Sequence, residues 1–292
     1  MIGLRRLNPT DQKWVLHTWL AAFGVLSLLG VTQFFHGWPR PQRIPGEVEH
    51  FHTTLFLGHH LSVASIFIFP LFVALDSAWN FRGKPRGKFL FLLAFGLGLL
   101  ALFFTYSRTL WIALPLGLLV WVLWRLPKKW SLATIGVGII CGILLTQYPP
   151  IQKRIHDGLG VGTRQNLWSA NWEFFEQRPL TGVGWRHNHE LAGYYLMEKL
   201  QTNDVFSGHA HNNALDMLGG MGGLGLLAWI AWCGGALWLL LRKSSQKSLL
   251  SDFAVGLVCA WLVFQINGLT QVNFWEAKVQ HQMAWIIAWS LL

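Results

Sequence analysis

Residues 212–241 read NNALDMLGGMGGLGLLAWIAWCGGALWLLL, with Asp216 as the single charged side chain. About 20 mostly apolar residues suffice for a helix to cross the hydrocarbon core of a bilayer. This run is longer than that and polar on no face, so it predicts a transmembrane helix. Seven further stretches qualify, at about 14–35, 53–75, 88–106, 109–125, 130–148, 252–274 and 279–292. The expected fold is therefore an all-α integral membrane protein of about eight transmembrane helices. The composition of the 292 residues agrees, with 53% hydrophobic and 12% charged side chains, about half the charged share of soluble domains. The 18 Trp, 20 Phe and 30 Gly suit aromatic belts and closely packed helices. Disorder, collagen and a disulfide scaffold are excluded. Cys141, Cys233 and Cys259 all lie in apolar runs and carry no redox signal.

The connections set the orientation. Thirteen basic residues, among them Arg82, Lys84, Arg86, Lys128, Lys129, Arg242 and Lys243, fall on one side. The short connections opposite hold only Arg40, Arg43, Arg108 and Lys278. The positive-inside rule then makes both termini cytoplasmic. The first run is too long for a secretory h-region and lacks a small-residue cleavage site, so it reads as an uncleaved span. A net charge of +10 spread over connections, and not over one helix face, is a topology signal and not a nucleic-acid footprint. The chain divides into five transmembrane helices in 1–148, a long outer loop in 149–210 and three transmembrane helices in 211–292, one membrane domain overall.

The loop concentrates the polar chemistry. Residues 163–178 predict a helix with Thr163 as N-cap and Pro179 as its stop. Trp168, Trp172 and Phe175 share a face with Arg164 one turn earlier. That stripe either lies in the headgroup layer against membrane lipids or packs on the bundle. Pro179-Leu-Thr-Gly-Val-Gly-Trp-Arg186 is either a plain turn or a phosphate-binding one, with glycine-flanked backbone and a guanidinium. His209-Ala-His211-Asn212-Asn213 leads into the 212–241 helix. A His there faces the positive end of the macrodipole, which disfavours imidazolium and suits a general base; the same helix end attracts anions. Asn212 or Asn213 also reads as a helix cap. His209, His211 and Asp216 admit a metal site, but no carboxylate or Cys stands at ligand spacing on the outer side, so neither metal nor other cofactor is expected. Elsewhere, His59 and His60 lie inside the second predicted span, where ionisable groups are functional suspects. Arg108 either snorkels to headgroups or pairs with a lipid phosphate. Gln265, Asn267, Gln271 and Asn273 read as interhelical hydrogen bonds or sugar contacts.

Several of these pieces together resemble the O-antigen ligase and polymerase family of bacterial envelope enzymes. They are Tyr106-Ser-Arg108 after a span, Arg164 and Trp168 in a loop helix, Arg178-Pro-Leu-Thr-Gly-Val-Gly184, and His209-Ala-His211-Asn212 before Gly219 and Gly222-x-x-Gly225. Gly268-Leu-Thr-Gln271-Val-Asn273 before a last span also matches. The likeness runs from about residue 53 to the end and favours the ligase branch. It implies a metal-independent GT-C type glycosyltransferase in the bacterial inner membrane, with the long loop periplasmic. The implied donor is a glycan on undecaprenyl pyrophosphate and the implied acceptor is lipid A–core; a polymerase or protein-glycosylating relative uses the same donor. His211 is implied as the base, Arg108, Arg164 and Arg186 as diphosphate ligands, and His209 and Asn212 as flanking substrate contacts. Two departures stand out. The family usually has more spans, and its ligases commonly carry Leu where this chain has Trp168. A transporter of lipid-linked glycan is the reading from another class. His59, His60 and the Gly-rich sixth span favour it; the lack of an internal repeat and the clustering of polar residues at the outer surface weigh against it.

Overall fold

The structure is a computed structural model that describes residues 8–45, 49–134, 136, 138, 147, 161–199, 201, 208–244 and 252–290. The described residues are helical apart from connections and one isolated β-bridge, Arg43 to Phe51. In chain order the helices are α1 (Pro9–His36), α2 (His60–Asn80), α3 (Pro85–Phe103), α4 (Arg108–Arg125), α5 (Val161–Gln177), α6 (His187–Lys199), α7 (Asn213–Ser244), α8 (Ala254–Asn267) and α9 (Ala277–Ser290). Among them α1, α2, α3, α4 and α7 are long and apolar enough to cross a membrane, which makes this a multi-pass membrane protein. The predicted span at 130–148 lies mostly outside the described residues. Helices α8 and α9 have 14 residues each, or about 21 Å of rise, short of the roughly 30 Å hydrocarbon core. The chain forms two compact units. One is Met1–Trp121, Gly235–Asn267 and Asn273–Leu292; the other is Val122–Gly234 and Gly268–Val272.

In the first unit α2 is buried nearly all round, with Val63, Phe67, Ile68, Phe69, Leu71 and Phe72 inside. Helices α1 and α3 turn Val25, Leu28, Phe89 and Leu90 outward, as lipid requires. Lipid tails are as apolar as Leu, so helix association rests on close approach and hydrogen bonds. A Cβ on Gly98 would stand 2.3 Å from the Phe23 ring, and one on Gly256 would stand 2.4 Å from the Phe72 carbonyl oxygen. Beside Gly256, the buried Asp76 carboxylate accepts from Gly256 N (2.9 Å) and from the Trp121 indole (3.1 Å). It thus sits in the first turn of α8, where the helix dipole favours an anion.

The structure moves the start of the second span from about residue 53 to His60, so His60 is its first residue and His59 lies outside it, as the N-cap in extended conformation. The cause is Gln33 of α1. Its amide oxygen accepts from Thr54 N (2.9 Å) and Leu55 N (2.7 Å), and its amide nitrogen donates to Arg40 O (2.8 Å) and Thr54 Oγ1 (3.0 Å). Those bonds, together with that of Thr53 N to Phe104 O (3.1 Å), take residues 53–55 out of any helical ladder. His60 stacks on His52 at 4.2 Å, and His52 Nδ1 lies 3.1 Å from Thr105 O.

In the second unit α5 and α6 form a hairpin around Leu167, Ala170, Phe174, Ala192 and Leu196. The i, i+3, i+4, i+7 pattern of Leu167, Ala170, Asn171 and Phe174 is the buried face of α5, whereas Trp172 on the predicted aromatic stripe is 49% exposed. Helix α5 starts at Val161, so Thr163 lies within its first turn and is not the cap; it ends at Gln177, two residues before Pro179. Helix α7 is broken. Gly222 has φ 65 and ψ −165, a region open essentially to glycine alone. The break strands backbone groups, and the Pro179–Gly184 loop satisfies them. Val183 N donates to Gly219 O (3.0 Å), Gly184 N to Gly220 O (2.9 Å), Gly223 N to Pro179 O (2.8 Å) and Leu224 N to Leu180 O (3.2 Å).

Candidate active site

The second unit gathers polar side chains where α7 begins. Asn212 is the N-cap: its Oδ1 accepts from Leu215 N at 3.1 Å, and its Nδ2 donates to Leu269 O at 3.1 Å. Asn213 N donates to Gly268 O at 2.8 Å. The preceding residue, His211, has φ 49, left-handed backbone that costs a non-glycine residue energy. Its surroundings hold it there. Ala210 O accepts from the Trp168 indole at 2.8 Å, Ala210 N donates to Asp216 Oδ1 at 3.1 Å, and His211 N donates to His209 Nδ1 at 3.2 Å.

The imidazole of His211 is oriented by Gln271. His211 Nδ1 lies 3.3 Å from Gln271 Oε1, an oxygen that only accepts, so the ring donates from Nδ1 and, when neutral, carries its lone pair on Nε2. The His209 ring stands 4.2 Å away at 66°, and His189 lies 6.0 Å beyond His209. His189 Nε2 donates to both oxygens of Asp216, at 3.0 and 3.1 Å. Asp216 is buried, as are Asn171 and Asn188. Asn188 donates to Asn171 Oδ1 at 2.7 Å and to Asp216 Oδ1 at 3.3 Å. These amides reach α7 because Gly219 and Gly220 have no side chains: a Cβ on Gly219 would stand 2.4 Å from Asn171 Oδ1.

Of the residues singled out from the sequence, His209, His211 and Asn212 meet in this cluster. Arg164 stands one turn, about 6 Å of rise, before Trp168 on α5. It is half-buried, and burial lowers the pKa of its guanidinium from the ordinary value. Among the described residues no carboxylate is paired with it, so it is a desolvated cation suited to an anionic ligand. Arg186 precedes α6 with φ 63 and is exposed. The Val183 and Gly184 amides, which the sequence offered as phosphate donors, are bonded to Gly219 and Gly220. Arg108 opens α4 in the first unit, after the buried Thr105, Tyr106 and Ser107. No group of three or more His, Cys, Asp or Glu among the described residues is arranged to hold a metal ion. Sequence reasoning missed His189, Asn188 and Asn171. His189 sits 27 residues from Asp216, and no motif joins two positions so far apart. The signal available was Asp216 itself, an acid inside an apolar run, which calls for a partner.

Residues 93–230 match the model of the O-antigen ligase family. That segment is similar to an O-antigen ligase domain. The match takes in Arg108, Arg164, Arg186, His209, His211, Asn212 and the broken part of α7. No curated protein matches the chain. Members of the O-antigen ligase family are glycosyltransferase-like ligases and polymerases that act on lipid-linked glycan, and the match supports a transferase of that kind. Trp168, where ligases of the family commonly have Leu, gains a structural reason: its indole N–H fixes Ala210, the residue before His211, which Leu cannot do.

Proposed function

We propose that the chain is an O-antigen ligase proper, transferring a glycan from undecaprenyl pyrophosphate to lipid A–core at the periplasmic face of the bacterial inner membrane, with both termini cytoplasmic. His211 Nε2 takes the proton of the acceptor hydroxyl as its oxygen bonds to the anomeric carbon. The bond from that carbon to the diphosphate oxygen breaks, and undecaprenyl pyrophosphate leaves with the electron pair. Neither metal nor other cofactor enters the step. The observation that carries this reading is the Nδ1 contact of His211 with Gln271 Oε1, since it directs the lone pair to Nε2.

The leaving diphosphate needs positive charge, because catalysis of this kind commonly draws most of its rate enhancement from stabilising charge as it develops. The start of α7 supplies little. Gly268 O and Asn212 Oδ1 take two of its first amides, and the Asp216 carboxylate lies one turn in. The charge falls to arginine. Arg164 is the arginine of the second unit with the strongest support, Arg186 adds a second, and Arg108 is carried by the family resemblance. His209 and Asn212 flank the reacting hydroxyl.

Replacing Arg164 by Ala is expected to raise the donor KM roughly ten- to a hundred-fold, the worth of about 1.5–3 kcal/mol for hydrogen bonds to a charged group. Steady-state transfer with purified protein measures it; an unchanged donor KM removes Arg164 from the diphosphate site. The reading as a whole is tested by deleting the gene and running lipopolysaccharide gels. Core without attached polymer is the expected result. Core bearing a single repeat unit identifies a polymerase instead, and an unchanged ladder overturns both.

A further inference from the structure

Next to the His211 segment, residues of α5, α6 and the first turn of α7 line a shallow cleft of about 450 Å³, wide open on one side. Its walls include Trp168, Trp172 and Tyr195, with Ser169, Glu173 and Glu176 among them. Trp172 is half exposed yet held in place: its indole donates to Glu176 Oε1 at 2.8 Å, and its ring leans on Phe175 at 5.5 Å. Glu173 accepts from Lys199 Nζ and from the Tyr195 hydroxyl. The bond from Lys199 pulls the Glu173 pKa down, which keeps it ionised.

These walls select their ligand. Ordered aromatic faces take flat apolar surfaces. The carboxylates have lone pairs beyond those already used, each ionised group offering about four acceptor sites, and so take hydroxyl hydrogens. Two carboxylates against one lysine repel phosphate and acidic sugars. A ring with apolar C–H faces, a rim of hydroxyls and no charge satisfies all three conditions. Trp168 walls the cleft and also bonds Ala210 O, so such a ring would stand beside the reacting centre.

We infer that the α5–α6 cleft binds an uncharged sugar ring of the glycan substrates, adjoining the bond that forms. The inference rests on the transferase reading above, and the ring comes from either the donor glycan or the acceptor core. The test uses the full-length protein in lipid nanodiscs. Two probes are titrated by calorimetry: the repeat-unit oligosaccharide cut from its lipid carrier, and the core oligosaccharide cut from lipid A. Trp172→Ala is expected to weaken one of them about ten-fold or more. It should raise the KM for the matching lipid-linked substrate by a similar factor and leave kcat within about two-fold. Trp172→Phe should recover most of the binding, and which probe weakens names the source of the ring. Glu176→Gln, close in size to the native side chain, is the second variant and should weaken the same probe should Trp172→Ala fail to fold. Binding of both probes and both KM values unchanged in Trp172→Ala and Glu176→Gln overturns the cleft assignment and leaves the transferase reading intact. A change confined to partitioning into anionic vesicles overturns it too and marks a lipid-facing surface. Wild-type protein that transfers nothing yet binds a probe lost in Trp172→Ala supports the cleft and overturns the transferase reading.

Discussion

Replacing Gly222 by Ala lowers the melting temperature by about 10 °C or more and abolishes transfer. The backbone at Gly222, φ 65 and ψ −165, costs a residue with a side chain about 1–3 kcal/mol. The added Cβ would also stand 2.4 Å from Leu180 C and 2.5 Å from Thr181 N, a backbone contact that no rotamer change relieves. Moving the loop away breaks the bonds of Gly223 N to Pro179 O and of Leu224 N to Leu180 O, each worth about 0.5–1.5 kcal/mol. Before the clash is counted, the total of about 2–6 kcal/mol is already a large share of the roughly 5–15 kcal/mol that holds a domain folded. Gly182, with φ 63, meets the break from the other side: a Cβ there would stand 2.5 Å from Gly220 C. Gly234→Ala is the control, because nothing lies within 4 Å of a Cβ there, and in a helix that change is expected to be neutral or stabilising by up to about 1 kcal/mol. Thermal unfolding in nanodiscs separates the two variants. Equal melting temperatures would show that α7 tolerates an unbroken course.

His211→Ala has the second large effect, and it falls on chemistry. A positioned general base contributes about 10²–10⁴ in rate, so kcat is expected to drop by that factor while both KM values change little. The fold should survive. The half-buried ring is held by a side-chain contact to Gln271, whereas the neighbouring backbone is pinned by Trp168, Asp216 and Gly268, none of which needs the imidazole. Melting temperature and membrane insertion measured beside kcat check this. Undiminished transfer in a folded variant removes the base assignment.

How much of this was legible in the sequence follows from the kind of interaction involved. The apolar runs that became α1, α3, α4 and α7 announce themselves, since a bilayer imposes length and hydrophobicity directly. The stop of α5 before Pro179 and the Asn212 cap are local rules, readable within a few residues. The start of α2 was not readable, because Gln33 reaches 21 residues along the chain to take Thr54 N. The break in α7 was hidden for a related reason. Two Gly-Gly pairs flanking Met221 look like a surface for close helix packing, and only the Pro179–Gly184 backbone shows that a loop occupies it. The His211 environment was half legible: its place at a helix start could be read, but not Gln271, which stands 60 residues away, nor the His189–Asp216 pair. Contacts that link distant positions leave no periodicity to read.

The transfer rate of the purified protein against pH, run side by side for wild type and His211→Ala, tests the proposed chemistry most directly. The wild-type kcat should rise between about pH 5 and 8 as an imidazole gives up its proton, then level off. In His211→Ala that limb should vanish and leave a low, flat residual rate. A wild-type profile without the limb, or a variant that keeps it at full amplitude, would contradict the role given to His211.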